Sequence, residues 1–295
     1  MLGPRWDDLV ASTPDWIDPW CSRSAWQNAT IEAFGGGREP YVEFGDRWGL
    51  AVAPFELEDG TPAIIGLDRV WGFGAAVVGQ PSPELVGRLG ALGPWRVAFL
   101  PAGAPESVYE AALVGVLQGG RWRTLAGEST VRLVADLDVG WWSRRSGRFR
   151  QRLNQAQRRS PLGFETCDDL IGMDRLLAIE TQSHKGRAGS GLASPDMERL
   201  YRSVIESGAG NRCVIARMGD HDVGFILGGA HDRTYRGLQM SYIESVREFS
   251  VGHLMQHHEV TRHFGYRYDL GMDMTYKRHW ADREQTTRTI VLVRP

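Results

Sequence analysis

The stretch Thr234-Tyr-Arg-Gly-Leu-Gln-Met-Ser-Tyr-Ile243, continued by Glu-Ser-Val-Arg247-Glu-Phe-Ser250-Val-Gly252-His-Leu254, decides how this chain is read. Its first ten residues read as a long strand, and Gly252–Phe264 reads as a helix stopped by Gly265. A strand that ends in a small-residue loop and opens a helix turns several unpaired N–H groups toward one point, with the helix dipole behind them. Such a junction is a cradle for a pyrophosphate. Ser-x-Gly before a helix is also an ordinary cap, so the surroundings must decide.

Working outward, Phe164–Cys167 reads as a short strand and Leu170–Ser183 as a helix with Met173, Leu176 and Leu177 inward. Ser194-Pro195-Asp196 opens a second helix that runs to Gly208, with Ser at the N-cap and Pro at N1. Cys213–Arg217 and Val223–Gly229 form a hairpin around Gly219-Asp220. Beyond the decisive stretch come a strand at Tyr266–Leu270, a short helix capped by Asp273, and a closing strand at Thr287–Val293.

The first half reads as short strands with turn punctuation. Trp48–Ala53 and Thr61–Leu67 flank the hairpin signal Glu58-Asp59-Gly60. A weak helix over Pro83–Leu92, a strand at Arg96–Leu100, a helix at Ser107–Leu117 and a strand at Ser129–Leu137 follow. Gly35-Gly36-Gly37 precedes Arg-Glu-Pro and reads as a loop, not a phosphate cradle.

At 295 residues, two domains are expected, divided as 1–138 and 139–295. A net charge of −2 gives no global drive toward nucleic acid or an anionic membrane. Cys21, Cys167 and Cys213 are odd in number and widely spaced, which argues for neither a disulfide framework nor a metal motif. Asp7 and Asp8 stand where a signal peptide would have its apolar core, and no apolar run approaches a membrane span. The expectation is a cytoplasmic protein.

Only two of the 34 basic side chains are lysines, Lys185 and Lys277. Where positions that need mere positive charge have become Arg, a surviving Lys suggests a site that needs a compact point charge with an adjustable pKa. Each lies in a dense polar run, Glu180-Thr-Gln-Ser-His-Lys-Gly-Arg and Asp269-Leu-Gly-Met-Asp-Met-Thr-Tyr-Lys. The alternative is chance survival on a surface. Between Asp138 and Glu165 there is no acid but there are arginines at 144, 145, 148, 150, 152, 158 and 159. Phe149, Leu153 and Ala156 make a narrow apolar stripe among them, so the segment is a basic amphipathic helix. It reads either as a solvated linker or as a contact for an anion, a tRNA or a coenzyme phosphate.

The order strand, two helices, three antiparallel strands, loop, helix, strand, helix, strand resembles that of the GNAT acyltransferases. Their loop, Arg/Gln-x-x-Gly-x-Gly/Ala, matches Arg247-x-x-Ser250-x-Gly252 with Ser in place of the first Gly. Arg148-Phe-Arg150-Gln-Arg-Leu153-Asn-Gln-Ala156-Gln-Arg158-Arg159, Ser183-His-Lys-Gly186, Ser250-Val-Gly252 and Asp269-Leu-Gly271-Met-Asp-Met-Thr-Tyr276-Lys277 occur in the same order in one branch of that superfamily. This is the branch of the acyltransferase family associated with bacterial cellulose synthesis, kin to the Fem-type aminoacyltransferases. His184 stands where that family usually has Trp. The resemblance implies an α/β (α+β, mixed-sheet) tandem GNAT fold, with a degenerate N-terminal copy and a CoA-binding C-terminal copy.

It further implies an N-acyltransferase that takes acyl-CoA as co-substrate and passes the acyl group to a small-molecule or peptide amine by direct attack. The alternatives are a Fem-like peptide-bond-forming transferase using aminoacyl-tRNA, and a GNAT-derived binding module without turnover. Backbone N–H groups ending at Ile243 would hold the acyl carbonyl. Arg247, Phe249, Ser250, Val251, Gly252, His253 and Leu254 would form the phosphate loop. Amine attack needs a base for the ammonium proton and an acid for the leaving thiolate.

Tyr276 is the implied acid, with packing on Trp280 as its structural alternative. Glu180, one helical turn past Leu176 and Leu177, is a candidate base because burial favours its protonated form, or else a partner for Lys185 or Arg187. His184 is the rival base, and Asp269 either moves a proton or orients Lys277. Asp273 is an i,i+4 partner for Lys277. His253, His257, His258 and His263 crowd one helix, but without a His-Glu-x-x-His arrangement or a third ligand no metal is expected.

Overall fold

The computed structural model describes residues 1–13, 17–168, 172–208 and 210–295. It forms two compact units, Met1–Val131 together with Gln285–Pro295, and Arg132–Glu284. The first unit begins with helices α1 (Pro4–Ser12) and α2 (Ser24–Phe34), then strands β1 (Tyr41–Phe44), β2 (Trp48–Glu56), β3 (Pro62–Gly66) and β4 (Val77–Gly79). Helix α3 (Glu84–Ala91), strand β5 (Val97–Gly103), helix α4 (Val108–Leu117) and strand β6 (Arg123–Asp136) follow. The chain passes into the second unit within β6.

There it forms α5 (Gly147–Arg159), β7 (Gly163–Thr166), α6 (Met173–Glu180), the single turn α7 (His184–Arg187) and α8 (Pro195–Glu206). Strands β8 (Asn211–Met218), β9 (His221–His231) and β10 (Thr234–Tyr242) lead to α9 (Val251–Arg262) and β11 (Arg267–Met272). A last strand, β12 (Arg283–Val293), returns the chain to the first unit.

In the first unit β2 pairs antiparallel with β1, β3 and β4, and β3 pairs parallel with β5. β12 lies antiparallel on β5, from Arg288 opposite Gly103 to Val293 opposite Val97. That pairing is why Gln285–Pro295 counts with the first unit and not, as the sequence division at 138 implied, with the second. Trp6, Trp48, Leu50, Leu85 and Leu113 are central in its core. Helices α1 and α2 went unread in the sequence because their polar faces interrupt any clear period. Trp6 and Val10, one turn apart, are nevertheless the buried anchors of α1. Ser107 does cap α4, its hydroxyl accepting from the Glu110 N–H at 3.1 Å.

In the second unit β7, β8, β9 and β10 run antiparallel in sequence order. β11 then pairs parallel with β10 and antiparallel with the end of β6. The helix expected over Leu170–Ser183 is α6, broken before the turn α7; Leu170 itself lies outside the described residues. Met173 and Leu176 point inward as expected, but Leu177 is only half-buried, and the inner positions continue through Ile179 and Glu180. Ser194 precedes α8, yet its hydroxyl turns back to the Gly191 carbonyl instead of capping the helix. Asp273 caps nothing either; it binds Arg278 at 2.8 Å, and only a 3-10 turn at Lys277–His279 follows.

Trp280 is the aromatic keystone of this unit. It is fully buried, stacked on Trp141 at 6.0 Å and edge-on to Phe149 at 5.0 Å, so it pins α5 beside the segment that carries Lys277. Replacing a buried Trp by Ala removes its transfer energy and leaves a cavity. Trp280→Ala should therefore lower stability by about 3–5 kcal/mol in chemical denaturation. A loss below about 1 kcal/mol would place α5 outside the cooperative core.

Candidate functional site

The site is built where β10 and β11 part. They pair at Thr234 with Arg267, Tyr235 with Tyr268 and Arg236 with Asp269, and the pairing then ends. β10 bulges between Gly237 and Gln239, and β11 bulges between Asp269 and Gly271 on its other side. Asp269, 2 % exposed, holds the point of divergence. It binds Arg132 of β6 and Arg236 of β10, the latter at 2.9 Å, and accepts the Gly271 N–H at 2.9 Å. Burial works against its charge, but the two guanidiniums outweigh burial and leave its pKa below the ordinary carboxylate value. Gly271 is needed here, since φ is +77° and a Cβ would lie 2.5 Å from Arg236 Nη1.

Both lysines reach backbone carbonyls along the parted strands. Lys185 Nζ donates to the Met240 carbonyl of β10 at 2.8 Å. Lys277 Nζ donates to the carbonyls of Leu270 at 2.7 Å and Met272 at 3.4 Å, on β11. Burial lowers the pKa of each, and Lys277 falls to about 8 because Arg236 and Lys185 add repulsion that Asp269 only partly offsets. The expected pair with Asp273 is thus replaced by bonds to carbonyls, with Asp273 taken by Arg278.

Tyr276 is half-buried beside Lys277, whose ammonium lies 5.9 Å from its ring centre. Burial, with the neighbouring Tyr242, pushes its hydroxyl up to about 12. Trp280 packs instead on Trp141, Phe149 and His253.

Glu180 is fully buried at the end of α6. Its Oε2 accepts from the Ser183 hydroxyl at 3.1 Å and its Oε1 from the Leu192 N–H at 3.0 Å, so it organises the turn that presents Lys185. Gly191 allows this contact: φ is +68° and a Cβ would stand 2.1 Å from Glu180 Oε1. Arg187 turns away to Glu244 at 3.7 Å. His184 is exposed on α7.

At the end of β10, Ile243 is half-buried and leads into a 3-10 turn over Glu244–Phe249. Ser250 then takes a left-handed conformation, φ 57° and ψ 37°, which explains why glycine is usual at this place in the loop. Its side chain makes no cap bond, so the first-turn N–H groups of Val251, Gly252 and His253 are left without one. The absent Cβ of Gly252 faces Met240 and Tyr242 at 3.3 and 3.4 Å, which brings this turn close to β10. Phe249 is half-buried and Leu254 buried. Arg247 is exposed and paired with Glu244 at 2.9 Å.

The three histidines of α9 and His263 at its C-cap act as aromatic packing. His253 accepts from Trp280 Nε1 at 3.3 Å, His257 lies edge-on to Trp142, His258 stacks on Phe164 and His263 on Tyr235. Burial lowers the pKa of all four, that of His263 to about 4. Among the described residues no three His, Cys, Asp or Glu side chains converge as metal ligands.

Sequence reading passed over Arg132 and Arg236, without which Asp269 could not stay charged. The available signal was a lone arginine among Val131, Leu133 and Val134 in a β-branched strand.

Residues 143–278 match the acetyltransferase (GNAT) domain family. Residues 143–278 of the second unit therefore carry a GNAT domain. FemX is similar over 98 % of this chain and 96 % of its own, at 11 % identity and a TM-score of 0.70. A conserved protein of unknown function from Bacteroides thetaiotaomicron matches over the same shares, 98 % and 96 %, with 11 % identity and a TM-score of 0.65. L-PGS from Bacillus licheniformis matches over 93 % of this chain and 92 % of its own, at 9 % identity and a TM-score of 0.53. At such identities the likeness is one of fold. No curated protein matches the sequence. No helix among the described residues is long and apolar enough to cross a membrane.

Two substitutions test this geometry. Ser250→Gly relieves a left-handed serine and should stabilise the protein by about 0.5–1 kcal/mol, read from denaturant midpoints. Asp269→Asn removes the carboxylate charge that two buried guanidiniums share and should cost about 3–5 kcal/mol. A neutral Asp269→Asn would mean that the triad does not hold the strands at their divergence.

Proposed function

We propose that the second unit transfers an acyl group from acyl-CoA to an amine. The observation that carries this reading is the parting of β10 and β11 just past Arg236 and Asp269, with the uncapped start of α9 following the same β10. The first-turn N–H groups of Val251, Gly252 and His253 suit the pyrophosphate, with Phe249, Ser250 and Leu254 shaping the loop. Arg247 could exchange Glu244 for a phosphate oxygen. The N–H and C=O of one strand residue point to one side, so the Met240 N–H shares the open edge with the carbonyl that Lys185 holds and suits the acyl oxygen, whereas the Ile243 N–H expected for that task is taken by the Val223 carbonyl at 2.9 Å.

When bound, acyl-CoA supplies an activated thioester, and the acceptor is a small-molecule or peptide amine. Lys277, with a pKa near 8, is the group best matched to accept the ammonium proton at working pH. Tyr276 stays protonated throughout that range and is the donor for the leaving thiolate. Lys185 positions β10 and adds positive charge. Glu180 and Asp269 act through others: the first shapes the Lys185 turn, the second fixes the strands. His184, exposed, faces incoming acceptor. In this reading the first unit is a degenerate GNAT copy, and the buried free cysteines suit the cytoplasm.

One observation favours a second reading, an aminoacyl-tRNA donor. Arg148, Arg152 and Arg159 are exposed on one face of α5 and have no acidic partner among the described residues. Arg144 and Arg145 do not belong to that face, being bound to Asp282. Acetyl-CoA, a long-chain acyl-CoA and aminoacyl-tRNA separate the readings by melting shift, since a donor at 100 times its Kd adds about 2.7 kcal/mol. A shift with aminoacyl-tRNA and none with either acyl-CoA would replace the first reading by the second.

With the donor in hand, turnover should rise with pH through an apparent pKa of about 8, as Lys277 loses its proton. Arg cannot deprotonate in this range, so Lys277→Arg should abolish that limb and cost at least about tenfold, or ~1.4 kcal/mol of barrier. A rising limb that persists in Lys277→Arg would assign it to the acceptor amine.

A further inference from the structure

The first unit contains a cavity of about 670 Å³ that the acyl-transfer reading does not use. It is lined by Trp95, Arg96, Arg121, Trp122 and Arg294, with no acidic residue in its wall. Its size is within the range of small-molecule sites, where a mainly apolar wall carries a few placed polar groups.

Both indoles are fixed with their polar atoms turned inward. Trp95 Nε1 donates to the Leu89 carbonyl at 3.0 Å, and Trp122 Nε1 donates to the Leu117 carbonyl at 2.8 Å. What they can offer a ligand is therefore flat apolar surface. Their ring centres are 5.6 Å apart, Trp95 buried and Trp122 half-buried.

Three guanidiniums accompany them. Arg294 lies over the Trp95 ring at 3.8 Å and is held flat by the carbonyls of Leu89 at 3.2 Å and Gly90 at 2.8 Å. Arg96 donates to the terminal carboxylate of Pro295, which also lines the cavity. Arg121 is exposed. None of the three is paired with a carboxylate side chain among the described residues, whereas most arginines of the second unit's core are. Three guanidiniums against the single terminal carboxylate of Pro295 leave an excess of positive charge around an aromatic cavity, which is suited to a planar anion, because a guanidinium both stacks on π-systems and grips phosphate in a fork.

We infer that this cavity binds a nucleoside phosphate, the base against Trp122 and the stacked Arg294, the phosphates on Arg96 and Arg121. A base without phosphate would forgo the guanidiniums, and phosphate alone would forgo the ring surface. The cavity lies wholly within the first unit, so such a ligand would be separate from the donor of the second.

The test uses the full chain and isothermal titration with ATP, adenosine, inorganic phosphate and CoA. ATP should bind one to one, at least about tenfold more tightly than adenosine or phosphate, with affinity falling as salt rises. Arg121→Ala removes an exposed side chain and should weaken ATP at least about tenfold without moving the melting temperature. Trp122→Leu should weaken ATP as well, and its melting curve shows whether the fold is kept. CoA carries the same adenosine phosphate group, so its arm decides the source: CoA binding that survives Arg121→Ala but is lost in Gly252→Asp belongs to the second unit. ATP binding should be intact in Gly252→Asp, and acyl transfer intact in Arg121→Ala, so the two proposals fail separately. Absence of ATP binding at millimolar concentration, or ATP binding unchanged by both Arg121→Ala and Trp122→Leu, overturns the inference.

Discussion

Asp269 in the grip of Arg132 and Arg236 is the constraint on which the second unit depends. The three residues lie on β11, β6 and β10, so one carboxylate ties three neighbouring strands at the last residue pair before two of them separate. Isolated charges of this kind are costly to bury, and a buried ion pair seldom exceeds an apolar replacement in net stability. Here its value is positional. An apolar cluster could hold the strands together, but it would not specify the residue at which they stop pairing. A fixed set of charge-assisted bonds does, and Gly271 is the local cost, since any side chain there would displace Arg236.

Once the strands part, their inner backbone groups lack partners, and a buried unpaired carbonyl is itself unfavourable. The two lysines answer that need. A compact ammonium on a flexible stem can reach the Met240 carbonyl from one side and the Leu270 carbonyl from the other. Desolvation then destabilises their charged forms, and the repulsion of Arg236 and Lys185 helps bring Lys277 down to about 8. The same carbonyl bonds that complete the fold thus prepare a titrating group.

The sequence was legible where local pattern and final structure agree. β8 to β11 and α9 fall within a residue or two of the segments expected from turn residues and apolar runs, because each is a continuous element bounded by its own punctuation. It was less legible where tertiary contact decides. Glu180 read as a base, because it borders an apolar stripe, or as a partner for Lys185 or Arg187, and only the fold shows both of its oxygens engaged by Ser183 and Leu192. Asp269 read as moving a proton or orienting Lys277, and its bonded partners are far away in sequence on β6 and β10. The return of β12 to the first unit is equally long-range: nothing in Thr287–Val293 names β5 as its neighbour.

The charges around the divergence do not cancel. Asp269 is shared between two arginines, and Glu180 spends its oxygens on a hydroxyl and a backbone N–H, which leaves the ammonium of Lys185 without a dedicated anion. A buried excess of positive charge is unfavourable in the resting protein and becomes favourable only when something nearby turns negative. An acyl oxygen gathering charge as an amine attacks would do so, and donors fixed in place beforehand need not reorganise to meet it. Under the proposed reading, the half-dehydrated Lys185 ammonium would await that charge while Lys277 takes the proton, and the Asp269 triad would hold the strands at the separation both need.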